Sequence, residues 1–494
     1  MNKSPLSYKE CLTEMFALGR FGIKLELDTV KAILKKLGSP EEKIKTIHIA
    51  GTNGKGSIAS YISSILIHSG FDTGLYTSPH LVKFNERFTI NKTMISDDDV
   101  VESYLAVKTA DIGERKATFF EITTAMAFYI FAKKNVEWAV IETGMGGRLD
   151  ATNIINPEIA IISNISIEHT EYLGDTIEKI AAEKAGIIKP AVPVITGVSE
   201  EPALSVIRNS AKTNSAPFYR LGRDFSVTLT NLPLPDTNTQ LSDLPDLSCS
   251  DSKSAPNISR FNYKGINANW ENLKLTLPGL HQVDNASLAL AACELLIKKQ
   301  KSIRYPESNT SSDSLLQSRK ITEGSIRKGL LTTSWPGRLE YILKNPTVII
   351  DGAHNLQAAE NLGHYLKTKK LNSSQSTKSH QQEKVAEPKY IMILGILDDK
   401  PYKAMLKHLL PVADSVIFTK AQINRSLEPE TLKEFAKTIS NAHMEIIRDV
   451  GSAVAHALKT ADTSDTICIA GSLYVAGEAR DKIDKDFRHP LNTS

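Results

Sequence analysis

The chain has 494 residues, more than one hydrophobic core usually supports, so two or more domains are expected. A formal charge of +3 (Lys+Arg 59, Asp+Glu 56), with 41% apolar and 23% charged residues, describes a globular protein with no basic surplus for a nucleic-acid or membrane-surface partner. Four cysteines, Cys11, Cys249, Cys293 and Cys468, stand far apart without a CxxC pair, which argues against a disulfide framework or structural zinc and fits a reducing compartment.

The first stretch, "MNKSPLSYKECLTEMFALGRFG", is interrupted by polar residues every few positions and reads as an amphipathic helix, not a signal peptide. No apolar run is long enough to span a bilayer, so a cytoplasmic location is expected. From Thr46 to about Gly197, "TIHIAG", "WAVIETG", "IAIISN" and "PVITG" read as buried parallel strands with helices between them, the pattern of an α/β sheet.

The first of these strands runs into Gly51, Thr52, Asn53, Gly54, Lys55, Gly56 and Ser57. Behind them Ile58, Tyr61, Ile62, Ile65 and Leu66 recur at helical spacing up to Gly70. A glycine-rich turn between a strand and a helix start leaves backbone amides free for an anion, in the positive field of the helix. Lys55 adds a mobile charge and Ser57 a hydroxyl suited to phosphate or Mg²⁺. A phosphate-binding loop follows, with Gly56 intervening between the Lys and Ser that usually adjoin.

Other polar residues collect at later strand ends. "YTSPHL" supplies Ser78 and His80. "VIETGMGGRLDATN" supplies Glu142, a glycine run, Arg148 and Asp150, which reads as a built site at the carboxyl end of a strand. "IISNISIEHTEYLG" brings His169 to the next strand end, a metal partner if Glu142 is beside it and a loop residue otherwise. In "TIEKIAAEKAGIIKP" Lys184 continues the stripe of Ile177, Ile180 and Ala181; snorkelling at a helix end and a functional role both explain it.

Residues 231–258 are rich in Ser, Pro, Asp and Asn and read as a polar insertion, as do 305–319 and 371–388. "LPGLHQVDNASLALAA" puts His281, Gln282 and Asn285 before a helix of small residues, where Asp284 or Asn285 also suits a helix N-cap. A second α/β pattern begins near Arg338 of "WPGRLE". Its strands are "TVIIDGAHN", with Asp351, His354 and Asn355 past the end, then "YIMILGI", "SVIFTK" and "TICIAGS"; its helices are "LQAAENLGHYLKTKK" and "RSLEPETLKEFAKTIS". Two domains are expected, 1–334 and 335–494.

These segments resemble the folylpolyglutamate synthase and dihydrofolate synthase family, a branch of the Mur ligase superfamily. The matching blocks, in family order, are "GRFGIKLELDTV", "IAGTNGKGS", "YTSPHLVKFNERFTI", "ATFFEITTAMAF", "VIETGMGGRLDATN", "NISIEHTEYLG", "AAEKAGIIK", "LPGLHQVDNA", "WPGRLE", "IIDGAHN" and "GSLYVAGEAR". The resemblance implies a P-loop Mur-ligase-like central domain with a mostly parallel sheet and a smaller C-terminal Rossmann-like α/β domain.

It also implies an ATP-dependent amide ligase that joins L-glutamate to dihydropteroate and to the glutamate tail of reduced folates through an acyl phosphate. By the same resemblance Lys55 and the loop amides hold the phosphates. Ser78 and Glu142 hold one Mg²⁺, and Glu142, His169 and a carbamylated Lys184 a second. Asn285, Arg338, Asp351 and His354 match nucleotide positions, Arg148 and Asp150 fall in a substrate segment, and Phe119 or Phe120 of "ATFFE" either stacks on the pterin or packs in the core. A family aromatic is replaced by Ile122. Small-molecule substrates and a monomer are expected. The alternatives are a folylpolyglutamate synthase alone, another Mur-type ligase, for whose extra N-terminal domain Gly51 leaves no room ahead of it, and an ATP-hydrolysing switch, which would need no glutamate.

Overall fold

The computed structural model describes residues 6–18, 26–111, 113, 115–231, 258–302, 319–378 and 387–488. Most of the three polar segments, Cys249 and residues 19–25 of the "GRFGIKL" block lie outside the described residues. The chain forms two compact units: Met1–His80, Phe84–Thr276 and Gln282–Ser334 make the first, and Leu81–Lys83, Leu277–His281 and Trp335–Ser494 the second.

In the first unit the strands are β1 (Lys45–Ala50), β2 (Thr73–Tyr76), β3 (Phe88–Ile90), β4 (Thr93–Met94), β5 (Trp138–Glu142), β6 (Ile159–Ile162), β7 (Val194–Thr196) and β8 (Phe218–Arg220). They form one sheet in the order β4-β3-β2-β5-β1-β6-β7-β8. Pairing is parallel from β2 to β8, and β3 and β4 turn back antiparallel at one edge. The Ile- and Val-rich runs expected as strands are β1, β5, β6 and β7. They are buried almost throughout, as strands covered by helices on both faces must be.

Helix Lys55–His68 departs from its expected one-sided pattern, because every residue from Gly56 to Leu66 is buried. Its Ser face is covered by helix Glu323–Leu331. The Ser64 hydroxyl donates to the Gly329 carbonyl at 2.9 Å, and a Cβ on Gly329 would lie 2.7 Å from the Ile65 Cα. Small residues on the face away from the main stripe thus mark a second helix contact.

A three-stranded antiparallel sheet, β9 (Ser226–Asn231), β10 (Ser259–Lys264) and β11 (Asn269–Leu275), was not foreseen from sequence. Its first connection is the polar segment that hid the pattern, although β10 alternates buried and less buried positions as a half-covered strand does.

The second unit carries β12 (Glu340–Lys344), β13 (Thr347–Ile350), β14 (Tyr390–Leu394), β15 (Ser415–Phe418), β16 (His443–Ile446) and β17 (Thr466–Ala470), in the order β12-β13-β17-β14-β15-β16. Only β12 pairs antiparallel. Helix Leu356–Lys378 runs on through 371–378, where a polar loop was expected; "LNSSQSTK" contains no Gly or Pro to stop it. The other expected helix is shorter, Pro429–Ala436, and starts where proline occupies its first turn. Cys11, Cys293 and Cys468 are buried free thiols. No helix among the described residues is long and apolar enough to cross a membrane.

Candidate functional site

Sheet order decides which strand ends meet. β2, β5, β1 and β6 are consecutive, with Tyr76 opposite Ile141, Ile49 opposite Glu142 and Ala50 opposite Ile162. The residues just past these pairs are Ser78, Glu142, the Gly51–Ser57 loop and the run from Ser163 to Glu168. They therefore gather along one carboxyl edge, where ligands of α/β sheets bind.

The loop is braced from β6. The Thr52 amide donates to the Asn164 carbonyl at 3.0 Å, the Asn53 amide to Asn164 Oδ1 at 2.8 Å, and the Ser163 hydroxyl to the Asn53 carbonyl at 2.6 Å. Only glycine fits at two points. A Cβ on Gly51 would stand 1.8 Å from Ser163 Oγ; one on Gly54, where φ is +84°, would stand 2.4 Å from Asn285 Oδ1. No side chain caps helix Lys55–His68. Lys55 folds back so that Nζ donates to the Gly51 and Thr52 carbonyls at 2.8 and 3.1 Å. Gln282 Nε2 donates to Ser57 Oγ at 3.3 Å, and Asn285 Nδ2 to Gln282 Oε1 at 3.2 Å. Helix His281–Ser302 already includes Asp284 and Asn285, so neither is its N-cap; Asn285 instead braces the phosphate loop.

Glu142 closes β5 and is 5% exposed, with the Ser78 amide donating to its Oε2 at 3.2 Å. The turn behind it is organised by Asp150, also buried. Asp150 Oδ2 accepts the Met145 amide at 2.8 Å, and Oδ1 accepts the Thr152 amide at 3.1 Å and the Thr152 hydroxyl. Burial raises the Asp150 carboxyl above its ordinary range, against the pull of these donors. Arg148 is exposed and pairs with Glu183 at 2.8 Å. Helix Phe119–Lys133 begins in a capping box of Thr118 and Glu121, and Arg115 pairs with Glu121 at 2.7 Å. The Phe120 ring lies flush against Gly144, where a Cβ would be 2.4 Å from Phe120 Cζ. Phe119 turns the other way, onto Phe16 and under the Arg87 guanidinium. Arg87 Nε also donates to His80 Nδ1 at 2.9 Å, and burial followed by Arg87 pushes His80 down to about 3, so it is neutral.

Lys184, 1% exposed, does not snorkel. Its Nζ pairs with Glu168 Oε1 at 2.7 Å. Burial lowers the Lys184 ammonium pKa, with Glu168 opposing and Lys55 assisting. Burial also works against ionising Glu168, but Lys184 and then Lys55 outweigh it and hold that carboxyl at about 2. His169 is exposed and sits at φ +47° ahead of the short helix Thr170–Leu173.

In the second unit, Asp351 is buried past β13. Its Oδ2 accepts the Leu339 amide and its Oδ1 the Ala353 amide, each at 2.8 Å. Burial raises its carboxyl, and the neighbouring Arg338 restrains the rise. Arg338 Nη1 donates to the Gly337 carbonyl at 2.9 Å and lies over Gly352, while His354 Nδ1 donates to the Gly352 carbonyl at 2.8 Å. Among the described residues no group of three or more His, Cys, Asp or Glu side chains is arranged to hold a metal ion.

Two family domains match the chain, the Mur ligase middle domain over residues 49–293 and the dihydrofolate synthetase C-terminal domain over 339–481. The dihydrofolate synthase/folylpolyglutamate synthase of Bacillus subtilis (strain 168) is 32% identical over 97% of this chain and 99% of its own length. The chain belongs to the dihydrofolate synthase/folylpolyglutamate synthase family. Solved members share its fold. E. coli FolC in complex with DHPP and ADP superposes with a TM-score of 0.77 at 26% identity, covering 96% of this chain and 98% of that one. Mycobacterium tuberculosis folylpolyglutamate synthase complexed with ADP and AMPPCP gives 0.75 at 29% identity, covering 96% and 98%. The family consists of ligases, and solved members of it are complexed with ADP.

Sequence reasoning passed over several residues that shape this family site. Glu168 adjoins the quoted His169 and is not singled out by the sequence analysis, although a buried lysine calls for a carboxylate nearby. Asn164 braces the loop by contacts no spacing rule encodes, and so does Gln282, which the sequence singles out only by its place before a helix. The one usable signal was a run of polar residues directly after an apolar strand.

Proposed function

We propose that this protein is a bifunctional ligase that adds L-glutamate to dihydropteroate and to the glutamate tail of reduced folates, using ATP. The full-length relationship to a dihydrofolate synthase/folylpolyglutamate synthase carries this reading. An uncapped, braced phosphate loop beside a buried carboxylate supports it. A carboxylate is a poor electrophile at neutral pH, and transfer of the ATP γ-phosphoryl group to it makes an acyl phosphate. The glutamate amine attacks that carbonyl, the amide forms and phosphate leaves.

The phosphoryl group in flight needs positioning and neutralised charge more than covalent help. Lys55 would leave the Gly51 and Thr52 carbonyls for the phosphates, and the amides of Gly54 to Ser57 would follow it. Asn285, Arg338, Asp351 and His354 are proposed nucleotide contacts. Phe120 is the proposed platform for the pterin. Asp150 and Arg148, engaged within the protein, would shape the substrate segment.

Mg²⁺ fits the donor chemistry: hard oxygens from Glu142, Ser78 and Ser57, too few for an all-protein cage, with substrate phosphates and water completing the shell. When bound, it would neutralise charge on the transferring phosphoryl group. A carbamylated Lys184 with Glu142 and His169 is our proposal for a second Mg²⁺. Burial favours the neutral amine that adds CO₂, and the pair with Glu168 must open to admit it. Lys184→Ala should lose activity and acetate should restore part of it.

We place the enzyme in the cytoplasm, as a monomer. Purified protein should incorporate labelled glutamate into both dihydropteroate and tetrahydrofolate with ATP. Incorporation into tetrahydrofolate alone would reduce the activity to folylpolyglutamate synthase.

A further inference from the structure

His48 is a buried titratable residue that the reaction above does not use. It lies in the middle of β1, three residues before the phosphate loop, and is 0% exposed. Its Nε2 is 2.8 Å from Thr152 Oγ1, and its Nδ1 is buried with no hydrogen-bond partner. Donor arithmetic fixes the direction of this contact. Thr152 has one hydroxyl proton and gives it to Asp150 Oδ1. Its oxygen can then only accept from His48, so Nε2 carries the imidazole proton and Nδ1 is the bare nitrogen.

The chain ends on a carboxylate that already takes the Met145 and Thr152 amides. Asp150 thus takes three donors of the protein itself. What it holds is the turn after Glu142, and Gly144 of that turn is the surface on which the Phe120 ring rests. Asp150 is also the N-cap of the short helix Ala151–Ile154, so Thr152 is held at both its amide and its hydroxyl.

We propose that His48 and Thr152 are positioning residues for substrate: the directed chain from the His48 Nε2 proton through the Thr152 hydroxyl to Asp150 locks the Gly144–Gly147 turn and so the ring of Phe120. It couples the strand that leads into the phosphate loop to the pterin platform, without contact to either ligand. Burial, helped by Lys189, keeps His48 neutral down to about pH 3, so the direction of the chain holds at working pH.

The kinetic consequence rests on the ligase reading, while the geometry stands apart from it. Thr152→Val removes the hydroxyl at nearly constant volume. It should raise KM for dihydropteroate about tenfold, the order expected for losing a hydrogen bond to a carboxylate, with KM for ATP unchanged. Thr152→Ser should restore it. An unchanged KM for dihydropteroate, or both KM values rising together, would overturn the proposal. Should the valine variant fail to fold, the wild-type protein still decides. Nitrogen-15 spectra should show His48 as the Nε2-protonated tautomer, with Nδ1 a pyridine-type nitrogen from pH 5 to 8. A protonated Nδ1, or an imidazole that titrates in that range, overturns the chain. Wild-type protein without pterin-dependent ADP release would discard the ligase reading and leave the nitrogen spectra to judge the chain alone.

Discussion

Helices that leave buried parallel strands begin here in two opposite ways. After β1, helix Lys55–His68 starts from Gly54 with no side-chain cap, and its lysine rests on the loop carbonyls behind it. After β13, helix Leu356–Lys378 follows Asn355, whose Oδ1 accepts the Ala358 amide at 2.9 Å. Helix Leu473–Ile483, after β17, is capped by Ser472, which accepts the Tyr474 amide at 3.0 Å. A helix start is an anion site only while its amides are unspent. The contrast supports the proposal that the phosphates bind at the helix start of the first unit. Lys55 of that uncapped start also acts on Glu168: against burial, Lys184 and then Lys55 hold its carboxyl ionised.

The largest effect should come from Lys55→Ala. It removes the proposed phosphate contact and no core packing, so turnover should fall by about a thousandfold while the urea midpoint stays put. Near wild-type ADP release from this variant would place the phosphates elsewhere and dissolve the contrast. Next is Glu168→Ala, which strands Lys184 in the core. Unfolding free energy should drop by about 3 kcal/mol, and a Glu168→Ala/Lys184→Met double variant should recover most of it. Equal losses in the single and double variants would show that the pair is not the source of the effect.

The apolar strands of both sheets were legible because parallel strands covered on both faces leave continuous Ile and Val runs, as in β1, β5 and β14. The strand–glycine turn–helix arrangement around Lys55 was legible because its parts adjoin in sequence. Contacts distant in sequence were not. Asn285 meets Gly54 and Asn164 meets Asn53 only after the sheet has formed. The antiparallel sheet β9–β11 was hidden for a related reason, since a long polar connection separates its first two strands. Lys184 was conspicuous as a charge on an apolar stripe, but its partner depended on how the β6 loop folds back.

Strand chemistry extends the contrast to pH. β1 carries His48, whereas β13 is Thr347, Val348, Ile349 and Ile350 with no titratable side chain. Burial depresses His48 from 6.5 to about 3 in the folded protein. Between those values the unfolded chain binds more protons, so stability is full above pH 6.5 and is lost as pH falls toward 3. The slope from one such group is at most about 1.4 kcal/mol per pH unit. His48→Gln, which keeps an amide donor in place of Nε2, should flatten the acid limb of a urea-denaturation pH series by that amount. An unaltered slope would mean that His48 is not the strand's acid-sensitive group.

The smallest effect tests the capped side directly. Asn355→Ala removes the acceptor of the Ala358 amide, which should weaken the helix start by about 1 kcal/mol. In a protein of two units a single global transition would blur so small a change. The local readout is amide hydrogen exchange, where Ala358 should exchange about fivefold faster in the variant. Asn355→Asp keeps an oxygen in the same place, adds charge of the sign that a helix N-terminus favours, and should restore protection. The first amides of Lys55–His68 should respond differently, gaining protection when ADP is added and none from any substitution in the second unit. Equal exchange of Ala358 in wild type and Asn355→Ala would show that the second helix start is as open as the first, and the assignment of phosphates to one unit would lose its physical basis.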